Sequence, residues 1–343
     1  MMTYKKINSI TSKDSVLVKD SETVSVDSSA GKVTTSNCKI DSISARDYIV
    51  VSDSISNSIT SRMDGIKVEN SNILNDINAR EKISIANSQA GSIKSSMNGV
   101  DITNSTISNV QTRDNINISK SNIQNIESLM GAIKISKSTA LNLTSREKIS
   151  ILDNSIVNDV KSTMSSLLMD SSIANDLLIK EDCEVKKSKF RNIRSISGSI
   201  ILTESDGNKI DAREDVNIKT CIISEVKSAM GSVFIDNSLV DEIDNVINVI
   251  TAREKLELDN VIISEFASCG ENSKIVNTKI KTLIMALDDD LNYVLELQSS
   301  KIDKLIIQNE KINKMKGAIP KINLKIISHD STYELECIGC KLR

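Results

Sequence analysis

The stretch "VQTRDNINISKSNIQN", Val110–Asn125, decides how this chain folds. Val110 and Thr112, Ile116 and Ile118, and Ser121 and Ile123 form three pairs of alternate positions. Alternation at period two places each pair on one face of an extended strand. Polar corners separate the pairs. Three short strands with their corners describe one coil of a parallel β-solenoid, an all-β fold. A coil cannot bury its apolar face alone, but stacked coils share one core.

The same phrase recurs on both sides. "NAREKISI" (Asn78–Ile85), "TSREKISI" (Thr144–Ile151), "DAREDVNI" (Asp211–Ile218) and "TAREKLEL" (Thr251–Leu258) repeat the first corner and second strand. Their arginines, with equivalents, fall at Arg46, Arg80, Arg113, Arg146, Arg213 and Arg253, and Lys180 fills the gap; successive spacings are 34, 33, 33, 34, 33 and 40. A second motif lies between them: "SRMDGIKV" (Ser61–Val68), "SSMNGVDI" (Ser95–Ile102), "SLMGAIKI" (Ser128–Ile135) and "SAMGSVFI" (Ser228–Ile235). The unit is therefore two similar halves, beginning at Ile10, Val26, Ile43 and onward to Ile250 and Phe266.

Parallel coils about 4.8 Å apart predict a rod on the order of 80 Å long. The expected count is roughly 16–19 coils, wound right-handed as parallel crossovers are. Residues 1–9 are expected to cap the N-terminal end, 10–281 to form the regular solenoid, and 282–343 to form irregular terminal coils with a C-terminal cap. Seven extra residues at Glu242–Asn248 predict a bulging loop, and after Phe266 the alternation is expected to continue without the serine pattern described below.

Composition fits this reading. Aromatic residues are 2% with no Trp, so Ile, Val and Leu must fill the core, and 39% hydrophobic residues at regular spacing argue against disorder. The net charge of -3 lacks the basic excess of a nucleic-acid binder. No run approaches the length of a membrane-spanning helix, and "MMTYKKINSITSKDS" has no apolar signal core. The 6 scattered cysteines do not form a secreted disulfide framework. A cytoplasmic location is expected, with export by a route without a cleaved signal left open.

Both motifs occupy the corner between the first and second strands. "AREKI" places three residues between inward positions; "SSMNGV" and "SLMGAI" place four, with glycine at Gly31, Gly65, Gly99, Gly131, Gly198 and Gly231. The extra residue predicts a positive φ at glycine. Arg46, Arg80, Arg113, Arg146, Arg213 and Arg253 would line this edge, interleaved with Met63, Met97, Met130, Met164 and Met230. Two readings stand: a docking stripe for a partner, or a solvated corner in which each Arg pairs with its own neighbouring acid.

A second ladder opens the third strand. Ser71, Ser88, Ser105, Ser121, Ser138, Asn154, Ser188, Ser205, Cys221 and Ser238 are expected in one interior file, which Cys38 and Val261 also join. Stacked hydroxyls would bond along the file and avoid being buried unpaired. Small groups there keep opposite walls close.

The search for chemistry yields little. His329 is the single histidine and reads as a surface residue; Asp288–Asp290 reads as a turn; Cys337 and Cys340 have redox or zinc spacing without a companion pair. No catalytic, cofactor or metal residue is assigned, and no cofactor is expected.

The phrase I-x-A-x-x-x-I-x-I, in "ISARDYIVV" (Ile43–Val51), "INAREKISI" (Ile77–Ile85), "IDAREDVNI" (Ile210–Ile218) and "ITAREKLEL" (Ile250–Leu258), resembles the coils of bactofilins. The resemblance covers about Ile10–Phe266. It implies a right-handed triangular β-helix and a cytoskeletal role, with polymerisation end to end without nucleotide. Haemagglutinin-type adhesin repeats are similar in style. The expectation is a non-enzymatic scaffold that partners itself through its ends. The alternatives are an adhesin- or effector-like module binding another protein along the Arg/Met corner and, last, a polysaccharide-active β-helix enzyme.

Overall fold

The computed structural model describes residues 5–236, 246–288, 291–309, 321–338 and 340–342. The protein is all-β, a parallel β-solenoid of about 18 turns whose strands form two parallel sheets. Its contacts divide it into two units, Met1–Ala174 and Asn175–Arg343. Among the described residues no helix is long and apolar enough to cross a membrane.

In the first unit a short strand of four residues alternates with a longer one of seven or eight, as in Thr106–Thr112, Ile116–Ser119 and Asn122–Ser128. Each strand pairs in parallel with its equivalents one coil away: Ile116 with Val100 and Ile133, Val110 with Ile93 and Ile126. The three inward pairs expected for each coil are present. Two of them share one strand, because the third wall of a coil runs into the first wall of the next without a break. In Asn122–Ser128 the inward residues are Ile123, Ile126 and Ser128, with Gln124 and Asn125 both outward. That double outward step is the bend between walls. Fully burying each Ile or Val contributes about 1.5–3 kcal/mol, so the aliphatic files dominate cohesion.

The two kinds of corner solve different problems. The expected positive φ at glycine is not found: none of Gly31, Gly65, Gly99, Gly131, Gly198 and Gly231 has φ in the left-handed region. Glycine is required there by close approach instead. A Cβ on Gly131 would run into the peptide joining Asp114 to Asn115, and one on Gly99 into the Asn115 carbonyl oxygen. The left-handed residues lie at the other corner, just before the third wall: Asn70 (φ 50°), Asn87 (50°), Asn104 (47°), Lys120 (50°) and Lys137 (51°). Asparagine is suited to this conformation. Its side chains also stack there, with Asn104 Nδ2 donating to Asn87 Oδ1 at 2.8 Å and Asn87 Nδ2 to Asn70 Oδ1 at 3.2 Å.

Next to this corner runs the serine file. Backbone N–H groups of Ser71, Ser88, Ser105, Ser121 and Ser138 donate to the Oγ of Ser88, Ser105, Ser121, Ser138 and Ser155 at 3.0–3.3 Å. Each hydroxyl from Ser71 to Ser138 donates in turn to the carbonyl two residues earlier, at 2.7–2.8 Å. Contrary to the expectation from stacking, the hydroxyls do not bond one another. They relay a corner N–H of one coil to a corner carbonyl of the next.

One member of the expected file is displaced. Asn154 is exposed and left-handed (φ 62°), following left-handed Asp153 (φ 56°), and Ser155 takes the interior position. The corner is one residue longer there, so the Ser155 hydroxyl reaches back three residues, to the Leu152 carbonyl, at 2.7 Å.

The second unit keeps the same plan. Ser188 N–H donates to Ser205 Oγ at 3.2 Å and Ser205 N–H to Cys221 Sγ at 3.3 Å, so cysteine serves as the acceptor in place of serine. Ser238 lies outside the described residues. Against expectation the file continues beyond Phe266: Val261, Thr278 and Ser300 N–H groups donate to the hydroxyls of Thr278, Ser300 and Ser331 at 3.4, 3.1 and 2.9 Å. Lengthening coils hid it, because the constant period fails while the local corner persists.

Two boundaries also move. Phe266 does not open a wall; a register shift places Ala267 beside Ile250 and inward, with Cys269 in the next inward slot. Of the expected insertion Glu242–Asn248, the last three residues belong to the strand Val246–Thr251, where Ile247 pairs with Ile263. Its remainder lies outside the described residues, as do 1–4, 310–320, and Asp289 and Asp290 of the expected turn.

Candidate functional site

In the first unit, Arg46, Met63, Arg80, Met97, Arg113, Met130, Arg146 and Met164 alternate along one corner. The order is built from backbone. Met63, Met97 and Met130 N–H groups donate to the carbonyls of Arg46, Arg80 and Arg113 at 2.8 Å, and Met164 N–H to that of Arg146 at 3.2 Å. Corner residues point away from the core, so all four methionines are about half exposed, at 45–52%. Successive arginines stand two coils, or about 10 Å, apart.

In the first unit the expected pairing of each Arg with its neighbouring acid is not found among the described residues. Among the described residues Arg46, Arg80, Arg113 and Arg146 make no ion pair. Their guanidinium groups lie on sulfur instead: Arg80 Nη1 on Met63 Sδ at 3.5 Å, Arg113 Nη1 on Met97 Sδ at 3.7 Å, Arg146 Nε on Met164 Sδ at 2.9 Å. Thioether sulfur is a weak, neutral acceptor, so the arginine charge is oriented but not neutralised. Arg62 differs, ion-pairing with Asp27 at 3.4 Å. A groove of about 440 Å³ opens on this edge, lined by Arg62, Arg80 and Lys94 with Met97 and no carboxylate.

The second unit carries a shorter version. Met230 N–H donates to the Arg213 carbonyl at 2.8 Å, and Arg253 N–H to the Gly231 carbonyl at 3.2 Å. Ser197 occupies the position equivalent to these methionines, its N–H on the Lys180 carbonyl at 2.9 Å.

The outermost strands form a second kind of candidate surface. Thr332–Ile338 pairs with Lys301–Asn309, placing Tyr333, Leu335 and Cys337 beside the inward residues Ile302, Leu305 and Ile307. Those partners are buried, yet Tyr333 is 36% and Leu335 42% exposed. In the first unit, Lys5–Ser12 pairs on one side with Ser21–Ser28, and Ile10 is half-buried where its partner Val26 is fully buried.

The remaining candidates are dispersed. His329 is exposed at the end of the strand Lys321–His329, and the Asp288 N–H donates to the Tyr293 hydroxyl at 3.0 Å. Among the described residues no three His, Cys, Asp or Glu side chains gather to hold a metal ion. The expectations missed the left-handed corner. Its signal is local: "NS" at Asn70–Ser71, Asn87–Ser88 and Asn104–Ser105 pairs a left-handed former with the serine that closes the corner.

Compared with family models, with curated proteins and with solved structures, the chain matches none of them.

Proposed function

We propose that the protein is a non-enzymatic structural scaffold whose solenoid assembles end to end with further copies of itself. One observation carries this: Tyr333 and Leu335 stand in inward register yet remain exposed, with no further coil over them among the described residues. An unpaired parallel edge with apolar inward side chains is a template for another strand. The half-buried Ile7 and Ile10 of Lys5–Ser12 offer a matching edge. A strand of one copy laid on the other edge of the next continues the parallel ladder, buries both apolar sets and requires neither nucleotide nor metal. The bactofilin-like coil phrase supports the same reading.

Electron microscopy and sedimentation across a concentration series test it. Particles are expected to lengthen in whole-molecule steps, and Leu335→Lys with Ile10→Lys to abolish the lengthening while leaving the β-sheet spectrum unchanged. Single particles of one length at every concentration would overturn the proposal.

A second reading is favoured by the unneutralised arginines: the Arg/Met corner of the first unit docks another protein through acidic side chains. Replacing Arg80, Arg113 and Arg146 with Ser is then expected to weaken partner binding while the melting temperature barely moves. Unchanged binding by the triple variant removes this reading.

A further inference from the structure

Five of the six cysteines are buried and one is exposed. Cys38, Cys183, Cys221 and Cys269 are buried in the solenoid interior. Burial pushes the Cys221 and Cys269 thiols up to about 11, and drives that of Cys183 higher still. At 1–2% exposed, all four are closed to small disulfides in the folded protein, and Cys183, Cys221 and Cys269 also form little of the reactive thiolate. Cys337, by contrast, is exposed.

Its neighbour is another thiol. Cys337 stands beside Ile307 in the parallel register, and the Cys340 thiol donates to the Ile307 carbonyl oxygen at 3.4 Å. Burial, and after it the neighbouring Cys337 thiol, hold the Cys340 thiol above its ordinary value. The strand position of Cys337 and the carbonyl contact of Cys340 thus place both residues against Ile307, with Cys337 exposed and Cys340 buried at 7%. Among the described residues no third metal-ligating side chain joins them.

We propose that Cys337 and Cys340 are a reversible dithiol–disulfide pair, oxidised by low-molecular-weight disulfides such as oxidised glutathione. The Cys337 thiolate, being exposed, attacks one glutathione sulfur. A mixed disulfide forms and one glutathione leaves as thiolate. Cys340 loses its proton to solvent and attacks the Cys337 sulfur, which expels the second glutathione and closes the internal bond. Two electrons pass from the dithiol to the small disulfide, and the two protons released protonate the departing thiolates. The product ties the strand Lys341–Leu342 to Thr332–Ile338. The inference does not depend on end-to-end assembly.

The test uses the reduced full chain incubated with oxidised glutathione and read by intact mass and peptide mapping. The expected product has lost two hydrogens per chain, contains a Cys337–Cys340 linked peptide and is restored by dithiothreitol. Cys340→Ser is expected to stop at one glutathione adduct on Cys337, and Cys337→Ser to remain unmodified. The proposal is overturned if the native chain stays reduced or halts at the glutathione adduct. It is equally overturned if Cys337→Ser reacts as fast as the native chain, or if any of the four interior cysteines is oxidised first.

Discussion

The Ser105 N–H donates to the Ser121 Oγ of the next coil at 3.1 Å, and that hydroxyl donates onward to the Ser119 carbonyl at 2.7 Å. One small side chain therefore satisfies a buried donor above and a corner acceptor in its own coil. Ser121→Ala leaves the Ser105 N–H without its acceptor and is expected to cost about 1–3 kcal/mol. Ser121→Cys should cost less, because Cys221 performs the same relay in the second unit. Ser121→Leu adds overpacking of about 1–3 kcal/mol to the lost bonds and should be the worst of the three. Urea denaturation gives the order; an alanine variant as stable as the native chain would contradict the relay.

Thr35 interrupts an aliphatic file. It pairs with Val18 and Val51, both buried, and its Oγ1 is fully enclosed without a hydrogen-bond partner. Thr35→Val removes an unsatisfied hydroxyl at nearly constant volume. The variant is expected to gain about 1 kcal/mol, seen as a higher denaturation midpoint.

The two corner types predict opposite responses to substitution. Gly131→Ala must displace the Asp114–Asn115 peptide of the preceding coil and should destabilise by about 2–3 kcal/mol. Lys120, left-handed at φ 50°, instead occupies a conformation that asparagine accepts more readily. Lys120→Asn also extends the amide stack from Asn104. A gain of about 0.5–1 kcal/mol is expected, measured as an upward shift in the melting temperature.

Asp101 links stability to pH. Burial works against its ionisation, but hydrogen bonds from Lys82 and Asn117 and the Lys82 charge together outweigh burial and hold the carboxyl below its ordinary value. The contacts are Lys82 Nζ to Oδ2 at 2.5 Å and Asn117 Nδ2 to Oδ1 at 2.9 Å. A folded-state value below the unfolded one gives stability that is complete above the ordinary aspartate value of about 4 and is lost as pH falls through the folded value. The pair is partly exposed, so its contribution stays under about 1 kcal/mol. Native protein should exceed Asp101→Asn in stability near neutrality, and the gap should close in acid. A gap that widens on acidification would refute this sign.

The coil was legible because period-two alternation is a local property: Ile116 and Ile118 point inward wherever the strand is placed. The interior serine file was legible for the same reason, since small residues recur at one distance from each apolar pair. The displacement of Asn154 by Ser155 was not, because "DNS" fits the file in either register and only hydrogen bonding to Ser138 selects one. Gly131 was recognised as special, but for the wrong cause. The sequence shows glycine recurring at this corner; it does not show whether backbone rotation or the neighbouring coil requires it.

The chain's own pattern determined that most of it winds in coils of nearly constant length with arginine and methionine alternating at one corner. Tertiary structure alone decided what those groups meet. Arg80 stands one residue from Glu81 in sequence, yet its guanidinium lies on Met63 of the preceding coil. Tyr333 and Leu335 alternate like any core pair, yet they are exposed because no further coil covers them among the described residues. Alternation sets which way a side chain points. The neighbouring coil sets whether that direction ends in contact, charge neutralisation or open surface, and sequence spacing does not encode that distance.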